Sequence, residues 1–480
     1  MKKDKMNIQE YELGLVGLGT MGQNLLLNMA DQGFAVAGYD NDKSKVDQLN
    51  NVTTGHDIVG QYDITSFISV LKKPRVVILL VPAGPIVDQV IGEIAPMLEP
   101  GDIIIDGGNS HFSDTDRRLT ELSGQQIQFV GMGISGGAEG ARRGPSMMPG
   151  GHRDTWERIR PAFEAAAAKV DGEPCVAYIG EGSSGHYVKM VHNGIEYGLM
   201  ELISEAYDFM KRVLKMSNQE IGATFNVWNQ DRLSSYLIEI TAEIFGQKDD
   251  IGNGDLIDMI RDESRQKGTG KWTSQDAMNL QVPVPGIDLA VAMRDLSGYK
   301  SERIKASTVL DGPEISEGIH HSGVTIDDLE KSLYFAFIII YAQGLAQLRK
   351  ASETYHYDLD LATIARIWRG GCIIRAAMLD DFKQAFEANP ALENILLDQR
   401  IADVANSMQD EIRKVAKAGL DYGIPIMALS NAVSYFDAYR SETLPANLIQ
   451  AQRDYFGSHT YERIDREGKF HTTWGNDSRF

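Results

Sequence analysis

The stretch YELGLVGLGTMGQN, Tyr11 to Asn24, runs an apolar segment into a glycine turn and then into the start of a helical pattern. Gly17, Gly19 and Gly22 satisfy G-x-G-x-x-G, a spacing that permits a tight turn, lets a pyrophosphate approach the backbone and packs helix closely on strand. Asp40 lies 23 residues past Gly17, at the end of the next apolar run, FAVAGYD, where a carboxylate can accept hydrogen bonds from an adenosine ribose. Together they predict a dinucleotide site formed by Gly17, Gly19, Thr20, Met21, Gly22, Asp40 and Asn41.

Outward from this turn, RVVILLV, DIIIDGG and IQFVGMGIS continue an alternation of short apolar runs with amphipathic stretches up to about Gly180. That is the pattern of βα units around a mostly parallel sheet. Ligands of open α/β sheets sit at the carboxyl ends of the strands, which makes Val81, Pro82 and Ala83 after RVVILLV, and Asn109 in DGGNS, candidate cofactor contacts. From about Ser183 helical periodicity takes over as far as about Arg440. The expected organisation is an α/β dinucleotide-binding domain over residues 1–182, an all-helical domain over 183–441 and a tail over 442–480. Within the helical part, IGATFNVWNQDRL and LATIARIWRGGCI align Trp228 with Trp368, a faint internal repeat. The tail shows no clear periodicity and is expected to pack on a second subunit.

Composition narrows the function. The 480-residue chain carries a formal charge of -20. With no basic run to offset it, nucleic acid is excluded as a partner, and an anionic substrate requires its own concentrated cationic pocket. Cys175 and Cys372 form neither a disulfide framework nor a metal-spaced set, which fits a reducing cytoplasm. The basic start MKKDKMNIQE leads into no apolar leader, and LYFAFIIIYA, Leu333 to Ala342, is too short to cross a bilayer and reads as a buried helix.

The chemistry is concentrated in KMVHNGIEY, Lys189 to Tyr197. At roughly 100° per residue, Lys189, His192, Asn193 and Glu196 fall on one helix face, with the amine and the carboxylate about 10 Å apart along the axis. A lysine in a partly desolvated cationic pocket can be neutral before turnover and so act as a base. GISGGAEGARRGPSMMPGG, Gly133 to Gly151, reads as too glycine-rich for a helix, and Ser135, Gly136 and Gly137 offer backbone N–H groups for a carboxylate. QKGTGKWT contributes Lys267 and Thr269 beside glycines, a composition suited to phosphate; Arg294 is a further cationic candidate, whereas Arg453 and His459 in the tail read by themselves as structural.

These segments, in order along nearly the whole chain, resemble the 6-phosphogluconate dehydrogenase family, through GLGTMGQN, GGNS, SGGAEGARRGPSMMPGG, GHYVKMVHNGIEYG, QKGTGKWT and QAQRDYFGSHTYE. The resemblance implies a Rossmann-like domain, a large helical domain and a homodimer in which a short tail reaches the partner's active site. It implies oxidative decarboxylation of 6-phosphogluconate to ribulose 5-phosphate without a metal. Lys189 looks like the base on the 3-hydroxyl and Glu196 like the acid that protonates carbon 1 after decarboxylation. Asn109, Ser135, Gly136, Gly137, His192 and Asn193 would hold the carboxylate and hydroxyls. Tyr197, Lys267, Thr269 and Arg294, with Arg453 and His459 of the other subunit, would surround the substrate and chiefly its phosphate. Where many members carry Asn-Arg-Thr, this chain has Asp40-Asn41-Asp42; the carboxylate repels a 2′-phosphate, so NAD is the expected cofactor, with Lys43 and Lys45 keeping NADP as the alternative. Pro82 and His111 also depart from the family pattern. A shorter β-hydroxyacid dehydrogenase type, or a non-catalytic binding protein on the same fold, is the competing reading.

Overall fold

The computed structural model describes residues 10–52, 57–313 and 323–474. The first nine residues, on which the expectation of no secretory leader largely rests, lie outside them. The chain forms two compact units that meet at residues 432 and 433, within helix Met427–Tyr439.

The first unit opens on a seven-stranded sheet of order β3-β2-β1-β4-β5-β6-β7. Its strands are β1 (Leu13–Val16), β2 (Val36–Tyr39), β3 (Ile58–Gln61), β4 (Val76–Leu79), β5 (Ile103–Asp106), β6 (Gln128–Ser135) and β7 (Ser146–Gly150). The first six are parallel and β7 closes the edge antiparallel to β6. Runs such as VVIL and IIID are apolar at successive positions because helices cover both faces of the sheet. One layer packs Leu25, Leu26, Met29 and Trp156 on Leu15, Ile78 and Ile105; the other packs Phe67, Val87 and Ile94 on Val77, Leu79 and Ile104. The strand order reverses between β1 and β4, the crevice where a doubly wound sheet binds its ligand.

Helix Ser184–Arg212 lies against β6 and β7 and carries the first unit into its helical part, packing on Thr269–Leu280, Pro285–Ser297 and Ile326–Tyr355. The sequence LYFAFIIIYA is buried throughout inside Ile326–Tyr355, because helices surround it on all sides. No helix among the described residues is long and apolar enough to cross a membrane. The two matched tryptophans are both buried, Trp228 ending one helix and Trp368 following Leu361–Ile367, and just beyond the two segments Ser235 and Ala376 form an antiparallel bridge.

One expectation is corrected. The segment 133–151 contains a helix, Gly137–Arg143, between the paired strands β6 and β7; packing against helix Thr20–Asp31 and the 370–371 backbone outweighs its glycine content. The tail carries secondary structure of its own. In the second unit, helix Ala446–Gly457 is followed by an antiparallel pair, Tyr461–Glu462 with Lys469–Phe470.

Candidate active site

The glycine turn sits at the carboxyl end of β1. Gly17 has φ 102°, which L side chains rarely adopt, and a Cβ on Gly22 would overlap the Gly17 carbonyl. A Cβ on Gly19, by contrast, would meet nothing within 4 Å. Gly19 caps helix Thr20–Asp31 with no side chain on its first N–H groups. An open backbone at a helix N-terminus fits a pyrophosphate. Val81 lies beside Gly17, with Pro82 and Ala83 exposed at the end of β4. Asn109 is exposed at the end of β5, on a loop fixed by Asp106, which accepts from Gly108 N at 3.0 Å, Ser110 Oγ at 2.6 Å and the buried Arg118 at 3.2 Å. His186 bonds the Asp106 carbonyl at 3.0 Å and Thr115 at 2.6 Å, tying this loop to the start of helix Ser184–Arg212.

Along that helix the predicted face is realised. Lys189 Nζ donates to Asn193 Oδ1 at 2.6 Å and lies 3.3 Å from His192 Nδ1. His192 Nε2 is 3.2 Å from Ser135 Oγ, and Asn193 Nδ2 donates to Thr269 Oγ1 at 3.2 Å. The amine, the imidazole, the amide, the serine at the end of β6 and the first residue of helix Thr269–Leu280 thus form one connected group. Gly136 and Gly137 follow Ser135 with φ of 123° and 62° and turn the backbone at its edge.

Electrostatics favour the unusual protonation state at each end of the helix face. Burial lowers the Lys189 pKa below the ordinary lysine value, partly opposed by Glu196. Burial raises the Glu196 pKa, opposed by Lys189 and Arg294. His192 is driven well below its ordinary value by burial and by Lys189, so it stays a neutral hydrogen-bonding group. One turn beyond, the Arg294 guanidinium lies 3.5 Å over the Tyr197 ring in a cation–π contact. Lys267 is exposed just before Gly268 and Thr269. Arg453 and His459 are exposed in the second unit, on and just after helix Ala446–Gly457.

One wall escaped the sequence reading. Ile373 N donates to Ser135 Oγ at 3.4 Å, the Gly371 carbonyl backs Gly136, and the Trp368 ring meets His192 edge-on at 5.6 Å. The double glycine in WRGGC, inside an otherwise helical stretch, was the available signal.

Two family descriptions match the chain: "NAD binding domain of 6-phosphogluconate dehydrogenase" over residues 12–180 and "6-phosphogluconate dehydrogenase, C-terminal domain" over residues 185–474. The decarboxylating 6-phosphogluconate dehydrogenase of Lactococcus lactis (strain IL1403) is 51% identical over 467 residues, covering 97% of this chain and 99% of its own. The NADP(+)-dependent, decarboxylating enzyme of Bacillus subtilis is 49% identical, covering 97% and 100%. The solved structure of Plasmodium falciparum 6-phosphogluconate dehydrogenase, described as apo, with its cofactor NADP+ and with its substrate 6-phosphogluconate, superposes with a TM-score of 0.92. It is 44% identical and covers 96% of this chain and 100% of that one.

The expectation of NAD is overturned by the Bacillus subtilis and Plasmodium falciparum proteins, whose named cofactor is NADP+. The physical reason lies at Asp40. Its carboxylate is 7% exposed and is occupied by the Leu18 N–H at 2.7 Å and the Asp42 N–H at 2.9 Å, with Lys45 Nζ 3.4 Å away. It braces the glycine turn beside a cation, so this strand end is not the bare anion that would repel a 2′-phosphate. With both of its domains matched and half of its residues shared with relatives of equal length, the chain belongs to the 6-phosphogluconate dehydrogenase family.

Proposed function

We propose that this protein converts 6-phosphogluconate to ribulose 5-phosphate and CO2 with NADP+ as oxidant. The observation that carries the reading is the buried Lys189 bonded to Asn193, with Glu196 two turns along the same helix. When bound along Gly17 to Gly22, Val81 to Ala83 and Asn109, the nicotinamide nucleotide supplies the hydride acceptor.

Lys189, neutral because it is desolvated, takes the proton of the 3-hydroxyl as that carbon is oxidised. The resulting ammonium then faces the new ketone and stabilises the negative charge that develops on its oxygen as the carboxylate leaves as CO2. Glu196, protonated because it is buried, delivers its proton to carbon 1 of the enediolate, which gives the ketose. Ser135, Gly136, Gly137, His192 and Asn193 hold the carboxylate and hydroxyls. Lys267, Thr269, Tyr197 and Arg294 surround the phosphate end, and this local cationic group explains how a chain of net charge -20 accepts an anion. The reading is completed by a homodimer in which residues 442–480 act as a tail carrying Arg453 and His459 to the partner's site.

The test follows NADPH and CO2 together from purified protein, 6-phosphogluconate and NADP+. One CO2 per NADPH, with ribulose 5-phosphate as product, supports the reading; NADPH without CO2 would reduce it to a simple hydroxyacid oxidation.

A further inference from the structure

The second unit is organised around one carboxylate. Asp454 is fully buried although nearly every other residue of helix Ala446–Gly457 is open to solvent. Its Oδ1 accepts from Thr460 N at 2.9 Å and from His471 Nδ1 at 2.9 Å. Its Oδ2 accepts from Thr472 N at 3.0 Å and from Trp474 Nε1 at 2.8 Å. Burial works against the charge, yet the donors at His471, Thr472, Trp474 and Thr460 hold the carboxyl well below its usual range. A carboxylate with four donors is a fixed anchor.

What it anchors is the turn that presents His459. Ser458 and Thr460, on either side, have φ of 50° and 60°, left-handed values that non-glycine residues adopt only under local constraint. Asp454 takes the Thr460 N–H, while Gln450 Nε2 donates to the Thr460 carbonyl at 2.5 Å. The same Gln450 accepts from Arg453 Nη1 at 3.0 Å. Gly457 leaves room for the imidazole to fold back: a Cβ there would lie 2.6 Å from His459 Nε2. The two cationic side chains are therefore set by one pair of clamps on one turn.

We propose that Asp454 is a positioning residue for substrate binding, fixing the turn that presents Arg453 and His459 to the phosphate end of the substrate. This rests on the proposed role of the tail. It adds that the tail's geometry is preset within residues 446–474 rather than moulded by the site it enters, since every clamp lies inside that segment.

The test compares Asp454→Asn, Gly457→Ala, Arg453→Ala and His459→Ala in the full-length enzyme. We expect Asp454→Asn to raise KM for 6-phosphogluconate by about tenfold while KM for NADP+ and kcat stay within about twofold, and to add little in an Arg453→Ala, His459→Ala background. Gly457→Ala, which displaces the imidazole and leaves the carboxylate's donors in place, should raise the same KM even where Asp454→Asn fails to fold. An unchanged substrate KM in Gly457→Ala and in folded Asp454→Asn, with Arg453→Ala and His459→Ala both impaired, would overturn the positioning role alone. Unimpaired Arg453→Ala and His459→Ala would instead overturn the tail reading on which it rests.

Discussion

Lys189 Nζ donates to Asn193 Oδ1 at 2.6 Å, one helical turn away, in a pocket that leaves the amine 5% exposed. The bond aims the amine without charging it: an amide oxygen orients a neutral or protonated lysine, and desolvation lowers its pKa. Lys189→Ala should therefore lower kcat by at least about a thousandfold while leaving the dissociation constant for NADP+ near normal. Calorimetric titration of the variant alongside its turnover checks both halves.

Replacing the amide tests the same relationship through pH. Asn193→Asp places a carboxylate beside the ammonium, which should raise the Lys189 pKa by about a unit or more. The reaction needs neutral Lys189 and protonated Glu196. The kcat/KM profile of the wild type should then fall toward acid as Lys189 is protonated and toward alkali as Glu196 loses its proton, in line with a lysine shifted down and a glutamate shifted up. In Asn193→Asp the acid limb should move to higher pH; an unmoved limb would mean that another group sets it.

Asp40 should behave as a structural residue. Asp40→Ala leaves the Leu18 and Asp42 N–H groups without their acceptor, at a cost of about 1–3 kcal/mol in denaturant unfolding. If Asp40 instead acted on the ribose from solvent, stability would be unchanged and only cofactor affinity would move.

A pH-dependent stability term should come from Glu205. Its buried side chain accepts from the Ala428 and Leu429 N–H groups at 2.6 and 2.8 Å, and burial outweighs these donors, pushing its pKa up to about 8. A carboxyl whose pKa is higher folded than unfolded favours the folded state while protonated. This contribution is complete below the unfolded value near 4.5 and is lost as pH rises through about 8. Glu205→Gln should flatten the loss of melting temperature between pH 5 and about 9. An unchanged slope would remove Glu205 as its source.

How far these features were legible in the sequence depends on how local they are. The glycine turn and the face of Lys189, His192, Asn193 and Glu196 are set by spacing within one or two elements, and periodicity alone finds them. The strand-end place of Asp40 was legible, but its bonds to the Leu18 and Asp42 N–H groups were not, because they depend on how deeply the carboxylate is buried. The helix at Gly137–Arg143 and the Trp368 to Ile373 wall depend on contacts between segments more than 100 residues apart, such as Ile373 with Ser135. No window of sequence contains them. The tail shows no apolar periodicity for a related reason: its organiser is a single buried side chain, Asp454, rather than an apolar stripe.

Whether Lys189 and Glu196 act as base and acid on one substrate is read from the reaction run in D2O, with ribulose 5-phosphate examined by NMR. The wild type should place one deuterium at carbon 1 in a single configuration, and Glu196→Gln should turn over about a hundredfold or more slowly, with residual product labelled in both configurations. Undiminished turnover with retained stereochemistry in Glu196→Gln would contradict these roles.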